Sequence, residues 1–374
     1  MPKNNSEFYP GKKQKKRRPA FIISLVVLTL LALMLLLFYG LQKYIVITND
    51  GLHLDIPMLS DGKSHIVIND EGESVKVYDP VDIELVVGEA DYENVAATAG
   101  KDLETEVKAD YISAGYATAD NIRNTAAAMQ YGNALVIEVK PASGMLVYNS
   151  QVDFALAYGT SGSLDLASVV SELKGGEKEI YLVAEICCLN DSTVPDRYPG
   201  VSLKTSDGEN YTDGSGGWID PYSAEYRKYI VDLCKELSDM GFDEICLNGL
   251  RHPVSEGTTF LYPGTSNANA TPITACSGFA LSITRSLKNL DANVSVRLNS
   301  ETAFGSGEDA AMGQNAELFF KIFDRVYYYV DVAAAAEALE SAENYVELGD
   351  VNLRFVPVCY GATPETACWV FMQG

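Results

Sequence analysis

Carboxylates, an amide and a cation stand at the ends of short apolar segments, where they could act on a sugar. In the segment GFDEICLNGLRHP, an apolar run ends at Asn248 and is followed by Arg251 and His252. Two earlier apolar runs carry Glu138 and Glu185. Paired carboxylates cleave glycosidic bonds as acid and base or nucleophile, and amides bind hydroxyl groups. A structural network of buried ion pairs is an equally open interpretation, because an unpaired buried charge is very costly.

The elements that must position these side chains alternate along the chain from residue 109 onward. Eight strand-like segments are separated by helix-like ones, which is typical of a parallel sheet covered by helices. Eight such units in about 265 residues predict a (β/α)₈ TIM barrel. The gap ATPETA holds at most one turn and no helix follows the eighth segment, so the last helix is absent. A doubly wound open sheet is the alternative, but no G-x-G-x-x-G follows the first segment.

Polar residues gather at the carboxyl ends of the predicted strands, where barrel enzymes carry their active sites. Residues two apart on a strand share a face, so Glu138 and Lys140 are predicted to point the same way. The same argument groups Arg297, Asn299 and Glu301 after the fifth strand. The remaining strand ends supply Glu185, Asn248, Arg251, Tyr327, Tyr329, Asp331, Arg354 and Tyr360.

The helix before the fourth strand shows clear start and stop signals. Asp220 is predicted to cap it and Pro221 to occupy its first turn. Gly241 is predicted to end it in a left-handed conformation. A Gly- and Ser-rich loop carries Trp218 just before this helix, where the ring could stack on a sugar or pack against the helix start.

The amino-terminal region predicts a membrane anchor. Residues 1–19 form a basic cytoplasmic tail with seven Lys or Arg, and residues 20–41 contain no charge and can span a bilayer. The basic flank predicts a single-pass cell-membrane protein with an extracellular carboxyl-terminal part. A cleaved signal peptide is the alternative, but the apolar run is long and lacks a clear cleavage site.

Between the anchor and the barrel, residues 42–108 predict a β-rich stalk and an acidic linker. Two pairs of β-rich runs in this region are typical of hairpins. The barrel itself is assigned to residues 109–374. Residues 1–19 hold seven of the 28 bases and one of the 51 acids, leaving an excess of 29 negative charges elsewhere. This charge argues against binding nucleic acid.

The composition offers no metal or cofactor site. The seven cysteines form no CxxC pair and lie mostly in apolar patterns, so they are predicted to be buried thiols. The three histidines are widely spaced. No cofactor and no metal are therefore expected.

Four blocks of the sequence resemble a glycoside hydrolase domain family of bacterial envelope proteins, related to α-amylase-type barrels. The blocks are YISAGYATADNIRNTAAAMQYGNALVIEVKPASGMLVYNS, IYLVAEICCLNDSTV, GWIDPYSAEYRKYIVDLCKELSDMGFDEICLNGLRHP and the weaker VSVRLNSETAFG with MGQNAELFFKIFDRVYYYV. The third block typically ends like GFDEIQFDYIRFP in that family. The resemblance spans roughly residues 109–330 and implies a (β/α)₈ barrel with carbohydrate as its ligand.

The chain departs from the family pattern at four positions near the strand ends. The resemblance implies an acid where Asn248 stands, an arginine where Glu185 stands and a shorter acid at Glu138. The acid usual after strand five corresponds to Thr302, beside Glu301. An amide cannot act as a carboxylate nucleophile or exchange a proton near neutral pH.

Catalytic candidates are therefore Glu138, Glu185 and Glu301. Candidates for substrate binding are Lys140, Asn248, Arg251, His252, Trp218, Asp220 and Tyr360. The expected function is a membrane-anchored, glycoside-hydrolase-like protein that acts on cell-wall or extracellular glycan. The alternative is a catalytically inactive glycan-binding or scaffold barrel that has lost the acid of strand four.

Overall fold

The computed structural model describes residues 95–100 and 102–373, together with the backbone of four strands nearer the amino terminus. The chain divides into two compact units, Met1–Val86 and Val87–Gly374. The predicted tail and the predicted anchor at residues 20–41 lie outside the described residues. Among the helices that are described, none is long and apolar enough to cross a membrane.

The first unit contains two antiparallel hairpins. Strand Ile45–Thr48 pairs with Gly51–Leu54, and Ser64–Ile68 pairs with Ser74–Tyr78. This confirms the two predicted hairpins of the β-rich segment.

The second unit is a closed barrel of eight parallel strands, numbered β1 to β8 in chain order. Each strand pairs with its neighbours in sequence, and β8 closes the barrel on β1 through the pairing of Trp369 with Lys108. The predicted barrel is confirmed and the open sheet is excluded. The strands are β1 (Lys108–Ile112), β2 (Ala134–Lys140), β3 (Tyr181–Cys187), β4 (Glu244–Asn248), β5 (Asn293–Leu298), β6 (Val326–Tyr329), β7 (Phe355–Tyr360) and β8 (Trp369–Met372).

Helices cover the outside of the barrel. No helix separates β7 from β8 in the described residues, as predicted for that gap. The helices are α1 (Ala119–Ala128), α2 (Asp153–Ala157), α3 (Leu166–Lys174), α4 (Val194–Arg197), α5 (Ala224–Met240), α6 (Pro272–Ser286), α7 (Glu301–Ser306), α8 (Ala316–Ile322), α9 (Ala335–Ala342) and α10 (Val351–Arg354).

The loops beyond the carboxyl ends of the barrel strands contain three short antiparallel strand pairs. The pair Lys204–Thr205 with Phe260–Leu261 joins the loop after β3 to the loop after β4. The other two pairs are Thr212–Asp213 with Gly216–Gly217 and Glu308–Asp309 with Gln314–Asn315.

The barrel has two apolar layers, which alternation along the strands creates. Inward side chains such as Val136, Val183 and Val358 fill the lumen. Outward side chains such as Ile137 and Leu247 pack against the helices. All seven cysteines are buried in the second unit, as predicted for thiols of the core.

Two predictions about the start of helix α5 are wrong. The helix begins at Ala224, so Pro221 lies before its first turn. Ser223, not Asp220, caps the helix, because its side chain accepts a hydrogen bond from the backbone N–H of Tyr226. The helix ends as predicted at Gly241, whose φ of 104° is a left-handed conformation that glycine adopts readily.

Candidate functional site

The carboxyl rim of the lumen carries polar side chains from four consecutive strands. Glu138 on β2 and Glu185 on β3 are register partners, so the two carboxylates stand side by side on neighbouring strands. Such strands are about 4.8 Å apart. Asn248 at the end of β4 and Arg297 on β5 reach the same place. Four side chains were predicted to meet at this rim, and Glu138, Glu185 and Asn248 do so. The fourth, Arg251, has no described contact with them.

Glu185 is fully buried and all of its partners come from other strands. Its Oε1 accepts a hydrogen bond from the Tyr111 hydroxyl at 2.9 Å and another from the Asn248 amide at 3.2 Å. Its Oε2 lies 2.5 Å from Nη2 of Arg297. Burial acts to lower the pKa of Arg297, but the charge of Glu185 and smaller contributions outweigh it and raise that pKa. The contacts place the Arg297 guanidinium directly against the Glu185 carboxylate.

Glu138 is more open to solvent than its neighbour Glu185 and has different hydrogen-bond partners. It is half-buried, and its Oε2 accepts a hydrogen bond from the backbone N–H of Ala114 at 2.8 Å. Burial raises the pKa of Glu138 above its ordinary value, and the charge of Glu185 raises it further, against the opposing effects of that hydrogen bond and of Arg297. Two carboxyl groups whose surroundings differ in this way are typical of acid–base sites.

Asn248 links the acids to the next strand. Its Oδ1 accepts hydrogen bonds from the backbone N–H of Gly249 at 2.7 Å and from the Asn299 amide at 3.3 Å. Because its amide also donates to Glu185, the residue orients a carboxylate and has no proton to exchange.

Lys140 does not face the rim, and the prediction that it shares a face with Glu138 is wrong. A β-bulge lies between the two residues, so Lys140 becomes the register partner of Ile186, an outward-facing residue. Its ammonium is fully buried between Asp191 at 2.8 Å and the carbonyl oxygen of Cys187 at 2.9 Å. This ion pair stabilises the strand ends and leaves the ammonium enclosed.

Arg251 and Trp218 form a pair in the loops above β3 and β4. The guanidinium of Arg251 stacks 4.8 Å from the centre of the Trp218 ring. Trp218 is 1% exposed and packs with Leu203 and Tyr211, so its ring is not open for a sugar. Arg251 keeps partial exposure beyond the end of β4.

His252 and Asp220 organise loops. Nδ1 of His252 donates to the Pro253 carbonyl at 2.8 Å, and Nε2 accepts from the Tyr262 hydroxyl at 3.1 Å. Burial lowers the pKa of His252 to about 4, which keeps the imidazole neutral. Asp220, also buried, accepts from the backbone N–H groups of Tyr222 and Gly264. Both side chains are enclosed by these contacts.

The last two predicted residues, Glu301 and Tyr360, are both exposed but lie in different places. Glu301 is exposed at the first position of α7, and its charge acts on Tyr328, a ring that packs outside the barrel against Phe304. The described contacts do not bring it to Glu138 or Glu185. Tyr360 ends β7 at the rim with 48% of its surface exposed, and its role in binding stays a prediction.

The amino end of the lumen holds a second buried network. Glu244 forms an ion pair with Arg325 and accepts hydrogen bonds from Tyr181 and Tyr327. Arg354 also lies toward this end, because β7 begins only at Phe355, and its guanidinium binds backbone carbonyls. The prediction that Arg354 serves the rim is wrong.

Tyr111 is the rim residue that sequence reasoning missed. It follows Ala109 by two positions on β1, so the alternation that places Ala109 in the lumen also places Tyr111 there. Burial and the charges of Glu185 and Glu138 raise the pKa of its hydroxyl, which remains a donor.

The described residues contain no cluster of metal-ligating side chains.

A closed parallel barrel with paired acids at its carboxyl rim is the architecture of many glycoside hydrolases. A family model described as "Putative glycosyl hydrolase domain" matches residues 111–330, more than half of the chain, and the protein belongs to that family. This confirms the resemblance that the four sequence blocks carry.

Comparison with solved structures finds chains of low sequence identity. The PgaB (BpsB) glycoside hydrolase domain from Bordetella bronchiseptica is 12% identical with a TM-score of 0.49, over 71% of this chain and 94% of that one. A hypothetical protein from Ruminiclostridium thermocellum ATCC 27405 is 19% identical with a TM-score of 0.44, over 50% and 95% of the two chains. Amy13B from Eubacterium rectale is 11% identical with a TM-score of 0.46, over 70% and 59%. No curated protein matches the sequence at a significant level.

Proposed function

We propose that this protein hydrolyses glycosidic bonds in a cell-wall or extracellular glycan, with Glu138 as the general acid. The observation that carries the proposal is the state of the Glu138 carboxyl, which is partly open at the rim, while burial and the neighbouring charge of Glu185 raise its pKa. A general acid must hold its proton near the working pH and still reach the leaving oxygen.

The reaction follows from the two carboxyl groups. Glu138 gives its proton to the glycosidic oxygen as the bond from that oxygen to the anomeric carbon breaks. The fixed negative charge of Glu185 favours the positive charge that develops on the sugar. Water then adds to the anomeric carbon and returns a proton to Glu138, which regenerates the acid.

Glu185 acts in this scheme without leaving its partners. Its side chain is 1% exposed and both oxygens are engaged, so it serves as a fixed charge and does not attack the substrate. Tyr111 and Arg297 are positioning residues for that charge.

The test is the release of reducing ends from solubilised peptidoglycan and chitohexaose. Glu138→Gln is expected to lower turnover at least a hundredfold while binding is kept, because general acids contribute about 10²–10⁴ in rate. Glu179→Gln is the matched control, since Glu179 is exposed before the amino end of β3 and should leave turnover unchanged. Equal turnover by wild type and Glu138→Gln would contradict the assignment.

A second candidate, a glycan-binding barrel without catalysis, is favoured by Asn248. The resemblance implies an acid at this position, and the amide present here only orients Glu185. If wild type binds glycan without turnover, this candidate stands. Asn248→Asp would then restore the missing carboxylate, and turnover gained by this variant would show that the amide blocks the chemistry.

Localisation at the cell membrane through residues 20–41 is part of the same proposal. The basic residues that precede this apolar run support a cytoplasmic amino terminus and an extracellular barrel. Fractionation of cells that make the full-length protein, followed by protease protection of the barrel, tests it.

A further inference from the structure

The rim of the lumen is divided into a polar half and an aromatic half. Strands β2 to β5 contribute the acids, Asn248 and Arg297 described above. On the other side, alternation places Tyr329 and Tyr360 at the lumen face, because Tyr327 and Val358 two positions earlier both lie in the lumen cluster. Met372 at the end of β8 is partly buried against the same cluster.

Tyr329 and Tyr360 form an exposed aromatic pair. Their ring centres are 5.0 Å apart at an interplanar angle of 62°. The two side chains are 45% and 48% exposed although they end lumen-facing rows. Within the described part of the chain, neither hydroxyl has a hydrogen-bond partner. The pair therefore presents ring surface and two free hydroxyls to the mouth of the barrel.

The position of the pair relative to the acids follows from barrel closure. In a closed ring of eight strands, β6 is opposite β2 and β7 is opposite β3. The tyrosines therefore stand across the mouth from Glu138 and Glu185.

We infer that Tyr329 and Tyr360 form a subsite that stacks against the apolar face of a pyranose ring, so that the glycan crosses the mouth from this pair to Glu138. This inference rests on the proposed function, because it takes a glycan as the ligand. A sugar ring has hydroxyl groups around its edge and C–H groups on its faces. An aromatic ring with a polar tip matches both parts of such a ligand. The polar half of the rim then receives the hydroxyl edge and the bond to be cleaved.

The experiment measures binding of chitohexaose, cellohexaose and solubilised peptidoglycan by calorimetry. The full-length protein carries Glu138→Gln so that no turnover disturbs the measurement. Tyr329→Ala and Tyr360→Ala are each expected to weaken binding roughly tenfold for the glycan that the parent binds best. Tyr329→Phe and Tyr360→Phe should stay within about threefold of the parent, because the ring carries the stacking.

Tyr131→Ala is the matched control. Tyr131 is 86% exposed in the loop between α1 and β2, at the opposite end of the barrel, and its removal should not change binding. Thermal unfolding of every variant shows whether it is folded. Folded alanine variants that bind as tightly as the parent would overturn the inference.

Turnover is measured separately, with Tyr329→Ala and Tyr360→Ala made in the protein that keeps Glu138, and this separates the inference from the proposed function. If Glu138→Gln abolishes turnover but the alanine variants keep binding in the Glu138→Gln protein and turnover in the protein with Glu138, the subsite is wrong and the proposed function stands. If no glycan is cleaved but the alanine variants lose binding, the subsite stands and the hydrolytic function is wrong. Absence of parent binding to all three glycans would overturn both.

Discussion

Side-chain direction at the residue scale decides which polar groups share the rim. Glu138 and Glu185 were predictable from strand ends and alternation, and the structure brings them together. The direction of the Lys140 side chain was not predictable, because a single β-bulge turns it out of the lumen toward Asp191. A bulge has no signal in the pattern of apolar residues, so sequence alone cannot place the residue that follows it.

The buried pair of Lys140 and Asp191 should be costly to break from one side. Lys140→Met is expected to lower the free energy of unfolding by about 3–5 kcal/mol, because it leaves the Asp191 charge buried without its cation. Urea denaturation measures the change. Lys174→Met is the matched control, since its partner Asp243 is partly exposed, and about 1 kcal/mol or less is expected. Equal losses in both variants would contradict the structural role of Lys140.

His252 should make the fold sensitive to acid. Its pKa is about 4 in the folded protein and 6.5 unfolded, so the unfolded state takes up the proton first. Stability contributed by the neutral ring is present above pH 6.5 and is lost as the pH falls toward 4, on the order of 3 kcal/mol in total.

Urea denaturation of wild type and His252→Gln at pH 7 and pH 4 checks this effect. The variant keeps a donor and an acceptor but does not titrate, so its stability should fall less between the two pH values. The same fall in both proteins would show that His252 is not the group responsible.

At the scale of helices and strands, the sequence predicts that the eight strands are present but not the residues at which each element begins and ends. All eight barrel strands lie where the apolar runs predict them. Strand β7 begins only at Phe355, because Asp350 accepts a hydrogen bond from the backbone N–H of Asn352 and starts the helical turn Val351–Arg354. Helix α8 begins only at Ala316, because a short hairpin precedes it in which Asp309 accepts a hydrogen bond from the Ser300 hydroxyl. Side-chain hydrogen bonds of this kind set the ends of the elements and override the local preference of the chain.

The cap at the start of helix α5 is expected to contribute to the stability of the fold. Ser223→Ala should cost about 1 kcal/mol, because it removes the acceptor for the Tyr226 backbone N–H. Thermal unfolding of this variant and of Ser286→Ala, at the other end of a helix and exposed, measures the difference. A loss no larger in Ser223→Ala than in Ser286→Ala would mean that the cap does not support the helix.

Closure of the barrel is the property of the whole molecule on which the site depends. The last strand pairs with both β7 and β1, so its removal opens the sheet and leaves two unpaired edges. A chain ending at residue 367 is therefore expected to lose cooperative unfolding. The unit Val87–Gly374 should keep it, because its barrel is complete. Circular dichroism during heating compares the two, and a cooperative transition in the shortened chain would contradict the role of β8.

The architecture and the acidic rim were accessible from the sequence because both follow from periodic patterns and strand ends. The partner of each charge was not, since the predicted strand ends offer several arginines, among them Arg251, Arg297 and Arg354. Only the closed barrel shows that Arg297 pairs with Glu185 and that Arg354 lies toward the opposite end.

The protonation of Glu138 is the central physical claim, and ¹³C NMR of glutamate carboxyl carbons measures it directly. Loss of one resonance in Glu138→Gln assigns the signal. The account predicts a midpoint above the ordinary value of 4.5, because burial and the Glu185 charge both favour the protonated form. It also predicts a lower midpoint in Glu185→Gln, where that charge is removed. A Glu138 midpoint at or below 4.5 in the wild-type protein would contradict its assignment as the acid of the site.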